Sequence, residues 1–153
     1  MAISISPATQ NDKIAIIEYL KHYGAPKIAE KRAECYIMHN HTLLAKEGNK
    51  IVGMLQWLIK EDPRAGVAEF EEVSVRQEYR NKGICSQLLK FAIRRVAEEF
   101  KKIKVAPRKI FLFVSKNNAD ARGLYEKHGF KCICETGCLF SDKDVELLYA
   151  RKM

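Results

Sequence analysis

The sequence predicts a mixed α/β fold built as one domain over residues 1–153. Three observations carry this reading. Apolar residues recur every three and four positions over 84–100, as on the buried face of a helix. Segments at 51–59 and 67–75 read as strands, and 110–114 is a continuous apolar run of buried-strand length. Strand and helix patterns then alternate as βαβα through the second half, with no repeat or low-complexity tract to interrupt them.

The elements follow in chain order. Ile3 and Ile5 give a short apolar opening. Residues 11–22 read as a helix, with Ile14, Ile17 and Leu20 at helical spacing and Asn11 or Asp12 as cap. A second helix is expected over 26–38, where Pro26 suits a first turn and Ile28, Cys35 and Met38 fall near one face. Strands at 42–45 and 51–59 flank Gly48-Asn49, a hairpin signal. The break Asp62-Pro63-Arg64-Ala65-Gly66 precedes a strand over 67–75. In the long helix that follows, Ile84, Leu88, Leu89, Ala92, Val96 and Phe100 form one stripe. After the strand at 110–114 comes a helix over 118–128 closed by Gly129, then strands at 130–135 and 144–151.

Composition sets the class. With 153 residues and 47% hydrophobic content the chain can bury one continuous core. Nothing in residues 1–10 resembles a secretory leader, and no apolar run reaches the roughly 20 residues that span a bilayer, so a soluble cytoplasmic protein is expected. Five cysteines, an odd number, fit free thiols better than a disulfide framework. Cys132 and Cys134 lie at Cys-x-Cys spacing with no histidine at zinc-finger distance, and His22, His39, His41 and His128 have no ligand spacing, so no metal site is expected.

The net charge of +8 is localised. Residues 76–109 hold eleven Lys/Arg against three Glu, whereas the remainder holds sixteen of each sign. Such a segment points to a polyanionic partner. A nucleic-acid or anionic-surface binder is one reading, but the segment lacks interleaved aromatic stacking residues and any DNA-reading motif. A ligand carrying several phosphates is the other. Arg80-Asn81-Lys82-Gly83-Ile84-Cys85-Ser86 lies between a strand and the long helix. The first helical N–H groups have no intrahelical acceptor and carry the positive end of the helix dipole, so they can hold a diphosphate through backbone.

Two motifs carry a specific resemblance. Val73-Ser74-Val75, followed by Arg80-Asn81-Lys82-Gly83-Ile84-Cys85-Ser86-Gln87-Leu88-Leu89, resembles the acyl-CoA signature of the GNAT family of N-acetyltransferases. Downstream, Asn118-Ala119-Asp120-Ala121-Arg122-Gly123-Leu124-Tyr125-Glu126-Lys127-His128-Gly129-Phe130 resembles that family's second motif. The resemblance implies a splayed central mixed sheet flanked by about four helices, with acetyl-CoA as cosubstrate wedged where two central strands part. It implies main-chain bonds from Val73 and Val75, around Ser74, to the pantetheine arm, and a diphosphate held by residues 80–86. It gives Asn118 a contact with the CoA arm and sets Tyr125 near the thioester sulfur. Cys85 departs from the signature, which expects glycine or alanine there.

An amine that attacks a thioester needs a proton acceptor, and the departing thiolate needs a donor. Tyr125, with an ordinary pKa of about 10, is the expected general acid. Glu69, Glu71 and Glu72 precede Val73 on its strand, and alternation puts the first two on one face and Glu72 on the other. Glu72 is preferred as base, then Glu69. Trp57, Tyr36 and Met38 are candidates to line an acceptor pocket. Cys85 is expected to be a tolerated small residue rather than a nucleophile. Expected partners are acetyl-CoA and an amine on a small molecule or a protein, with neither nucleic acid nor membrane; a homodimer is left open, as is an acyl-CoA-binding domain without catalysis.

Overall fold

The structure, a computed structural model, describes residues 2–22, 26–39 and 41–153. Its elements run β1 (Ile3–Pro7), α1 (Lys13–His22), α2 (Ala29–Met38), β2 (His41–Glu47), β3 (Lys50–Ile59), β4 (Val67–Val75), α3 (Ile84–Lys102), β5 (Lys109–Ser115), α4 (Ala119–Lys127), β6 (Lys131–Gly137) and β7 (Glu146–Lys152). Short 3-10 turns precede α1 and α2 and flank β4. The seven strands form one mixed sheet in the order β1-β2-β3-β4-β5-β7-β6. The predicted mixed sheet with four helices is therefore what the chain builds. Two compact units divide it: Met1–Leu58 with Glu72–Ala92, and Ile59–Glu71 with Ile93–Met153.

In the first unit β1, β2 and β3 pair antiparallel, and Gly48-Asn49 makes the β2–β3 turn as expected. A core of Ile16, Tyr19, Leu20, Ala29, Ala33, Tyr36, Leu44, Ile51 and Met54 joins α1 and α2 to this sheet. The faces of these two helices differ from expectation. Ile14 is 74% exposed, and Ile28 and Met38 also face solvent, while Ala29, Ala33 and Tyr36 are buried. The stripe on α2 is thus rotated one residue, about 100°, from the predicted one. Small alanines on the inward face let α1 and α2 approach closely, which the larger Ile28 and Met38 would not. The cap prediction also shifts. The helical segment starts at Gln10, one residue before the predicted 11, with Thr9 rather than Asn11 or Asp12 at the cap position and the Asp12 carboxylate accepting from the Thr9 amide at 2.8 Å.

In the second unit β4 pairs parallel with β5 through Val67↔Lys109, Ala68↔Ile110 and Glu69↔Phe111. Among the described residues no further pair joins them, although β4 runs on to Val75 and β5 to Ser115. β5, β7 and β6 form an antiparallel ladder. Ile110, Leu112 and Val114 are buried, and Phe111 and Phe113 alternate with them toward the other face. Phe70, Tyr125 and Phe130 form an aromatic cluster, with Phe130 centred 6.0 Å from Phe70 and 5.9 Å from Tyr125. Cys132 and Cys134 flank a β-bulge, and both are exposed. The helix α3 buries Ile84, Leu88, Leu89, Ala92, Val96 and Phe100, the whole predicted stripe.

Candidate functional site

The first unit holds the β4 end, the turn after it and the start of α3. β4 is anchored here by Arg76, whose amide donates to the Val52 carbonyl at 2.8 Å and whose Nε donates to the Ile51 carbonyl at 2.8 Å. The Ser74 hydroxyl bonds to Tyr19 Oη at 3.0 Å. These contacts hold the end of β4 through the Ser74 hydroxyl and Arg76. The following turn is then shaped by two left-handed residues, Asn81 at φ 61° and Gly83 at φ 75°. Arg80 Nε donates back to the Val75 carbonyl at 3.3 Å, and the Lys82 ammonium sits 4.9 Å from the centre of the Tyr79 ring.

Helical bonding in α3 starts with the Gln87 amide donating to the Gly83 carbonyl at 3.0 Å. The amides of Ile84 and Cys85 precede that bond, so they have no carbonyl within the helix to reach. A Cβ built on Gly83 would meet no heavy atom within 4 Å. The turn therefore has open space over the helix start, exposed cations at Arg80 and Lys82, and backbone donors beneath. These features fit a diphosphate. Cys85 is half-buried, and burial pushes its thiol up to about 11, so the group is a thiol at neutral pH rather than the acidified thiolate that a helix start favours.

Glu72 also belongs to this unit. Its Oε2 accepts from Tyr36 Oη at 2.8 Å and from the Arg32 guanidinium, which also bonds to Tyr36 Oη. Tyr36 is set in place by its backbone carbonyl, which accepts from the Thr42 hydroxyl at 2.7 Å. Burial, then the Glu72 charge beside it, push the Tyr36 phenol up to about 12. Both donors converge on Oε2 of Glu72. Arg32 was not among the sequence candidates. It lies 40 residues from Glu72, and no spacing rule connects a helix residue to a strand residue at that separation. Trp57 is buried and stacks on His41, with ring centres 3.8 Å apart, whereas Met38 is exposed.

The remaining candidates lie in the second unit. Beyond the last β4–β5 pair, Glu69, Phe70 and Glu71 face Phe113, Val114 and Ser115 across a cavity of about 350 Å³, with Phe140 and Glu146 completing its wall. Glu69 accepts from Lys60 at 3.0 Å, and Glu146 accepts from the Leu139 amide at 2.7 Å. The Phe113 and Phe140 rings meet edge to face at 5.3 Å. Lys60, Phe140 and Glu146 escaped the sequence reading because they lie outside the motifs. Asn118 caps α4, its side-chain oxygen accepting from the Ala121 amide at 3.1 Å. Tyr125 is buried on α4 against Phe130. Among the described residues no group of His, Cys, Asp or Glu is placed to hold a metal, and no helix is long and apolar enough to cross a membrane.

Comparison with known proteins adds the following. A family model described as the acetyltransferase (GNAT) family matches residues 11–130. No curated protein matches the chain. Among solved structures, a GCN5-related N-acetyltransferase from Kribbella flavida superimposes with a TM-score of 0.81 at 19% identity, covering 99% of this chain and 98% of that one. The ribosomal-protein-S18-alanine N-acetyltransferase from Escherichia coli gives 0.79 at 17% identity, over 99% and 94%. A GNAT family acetyltransferase from Elizabethkingia anophelis with acetyl-CoA bound gives 0.74 at 20% identity, over 99% and 98%. At these identities the superpositions establish a shared fold.

Proposed function

The chain belongs to the acetyltransferase (GNAT) family, and from that premise we propose that it moves an acetyl group from acetyl-CoA to a primary amine by direct attack. The observation that carries the reading is the turn into α3, where an open left-handed Gly83, backbone donors and two exposed cations meet. Bound acetyl-CoA supplies an activated carbonyl and a thiol leaving group. Residues 80–86 hold its diphosphate, with Arg80 and Lys82 as countercharges, and the main chain of Val73 and Val75 lines its arm. Asn118 positions α4 through its cap. Residues 1–153 act as a single acetyltransferase domain in this reading.

Proton movement falls to two side chains. Glu72 takes the proton of the incoming ammonium, directly or through a water, while Arg32 and Tyr36 hold Oε2. Glu69, already paired to Lys60, is the second choice for that role. Tyr125 donates to the departing sulfur. The thiol state of Cys85 supports direct attack without an acetyl-cysteine stage. Exposed cysteines at 35, 132, 134 and 138 without a disulfide support a cytoplasmic setting.

The test couples binding to turnover. CoA should raise the melting temperature by mass action, stabilising the fold by about 2.7 kcal/mol at a hundred times its dissociation constant. A panel of amines with acetyl-CoA, read by release of free thiol, should identify at least one acceptor. A melting temperature unmoved by millimolar CoA overturns the assignment; CoA binding with no thiol release from any amine favours a binding domain without catalysis.

A further inference from the structure

The β5–β7–β6 sheet of the second unit carries a second, larger cavity that the proposed reaction does not use. It measures about 680 Å³, and its floor is apolar: Phe111 and Phe113 of β5, Leu148 and Ala150 of β7, and Ile133 of β6. The register pairs Phe111 with Ala150 and Phe113 with Leu148, so the strip is continuous across two strands. Ile133 extends it onto the third strand and is 61% exposed. The outer face of an antiparallel sheet is ordinarily polar, and a contiguous apolar patch rimmed by charge marks an interaction surface.

The rim decides what can sit there. Lys109, Lys131, Arg151 and Lys152 line the cavity, and no carboxylate does. Lys109 and Lys152 are direct cross-strand partners, an arrangement of like charges that destabilises a sheet. Among the described residues none of the four forms an ion pair. Lys109 and Lys152 therefore repel each other in the isolated chain, and an anionic occupant removes that cost.

We propose that this face docks an acidic peptide segment of a partner protein. Its apolar side chains cover Phe111, Phe113, Leu148 and Ile133, and its carboxylates meet Lys109, Lys131, Arg151 and Lys152. From Lys109 to Phe113 the floor advances four strand steps, about 13 Å, which an extended peptide of about five residues spans. A twofold self-association through this face brings like surface to like surface, opposing four cations with four more. The inference rests on no step of acetyl transfer and stands apart from that reading.

The test uses the full chain and a fluorescein-labelled peptide alternating leucine and glutamate, read by anisotropy. Controls carry glutamine or lysine in place of glutamate. The glutamate peptide should bind saturably and more weakly as salt rises. The double variant Lys109→Glu with Lys131→Glu should bind it at least about tenfold more weakly and bind the lysine peptide instead. A far-ultraviolet circular dichroism spectrum and a cooperative melting transition that match the parent chain check that the variant is folded. Equal affinity for glutamate and glutamine peptides, or an unaffected double variant, overturns the proposal. So does a sedimenting dimer that Ile133→Asp dissociates, which assigns the face to a second copy of the chain.

Discussion

Replacing Gly83 by alanine separates ligand binding from folding, because the cost of the change can be read from the surrounding space. Gly83 has φ 75°, and a Cβ there meets nothing within 4 Å. The substitution thus incurs the left-handed backbone penalty alone, about 1–2 kcal/mol. In a chain of this length that lowers the melting temperature by about 2–8 °C. Gly66 is the matched control, with φ 66° but a Cβ that would lie 2.4 Å from the Ala106 carbonyl oxygen. Backbone cannot yield as a side chain does, so overpacking adds about 1–3 kcal/mol to the same penalty, and Gly66→Ala should lose about 2–5 kcal/mol in all. The order reverses for the ligand. A methyl group at 83 stands where the diphosphate meets the helix amides, so CoA affinity should fall by about tenfold or more, equivalent to at least 1.4 kcal/mol. Gly66→Ala, assayed at a temperature where it is folded, should keep parental affinity. Thermal melts and calorimetric titration with CoA give both quantities. A Gly83→Ala protein that melts slightly low yet binds CoA at parental affinity refutes the phosphate turn.

Tyr125→Phe keeps the ring that packs on Phe130, so the chain should still fold and bind CoA while turnover falls about 10²–10⁴-fold, as for a positioned acid; parental turnover returns Tyr125 to a packing role. Tyr36 should reveal its phenol in alkali. Its folded pKa is raised to about 12 against an ordinary 10.0, so the folded chain holds the proton more tightly. The associated stability is full below pH 10 and is lost as pH rises toward 12. Melting temperature should therefore fall more steeply over that window in the parent than in Tyr36→Phe, and equal slopes would show that the phenol is not held. Cys85, a thiol of pKa about 11, should alkylate at neutral pH far more slowly than the exposed Cys132, Cys134 and Cys138, and Cys85→Ala should retain turnover within a few-fold. Abolished turnover with CoA affinity intact would instead indicate covalent catalysis.

The sequence by itself determined the elements whose signal is local. The α3 stripe repeats every three to four residues from Ile84 to Phe100, and all six predicted residues are buried. The bounds of β4 matched, and the β4–α3 turn was legible because a glycine and a helix start lie within a few residues of each other. Tertiary structure decided what depends on neighbours distant in the chain. α2 offers two apolar stripes, and packing against α1 chose the one with small alanines, leaving Met38 65% exposed. Arg32 and Tyr36 reach Glu72 from 40 and 36 residues away. The cavity beside Glu69 and Glu71 exists because β4 stops pairing with β5 after Glu69, although both strands continue. Spacing along a chain records which side of an element is apolar, but a side chain's partner, and the space left where two strands stop pairing, are set only when separate elements pack.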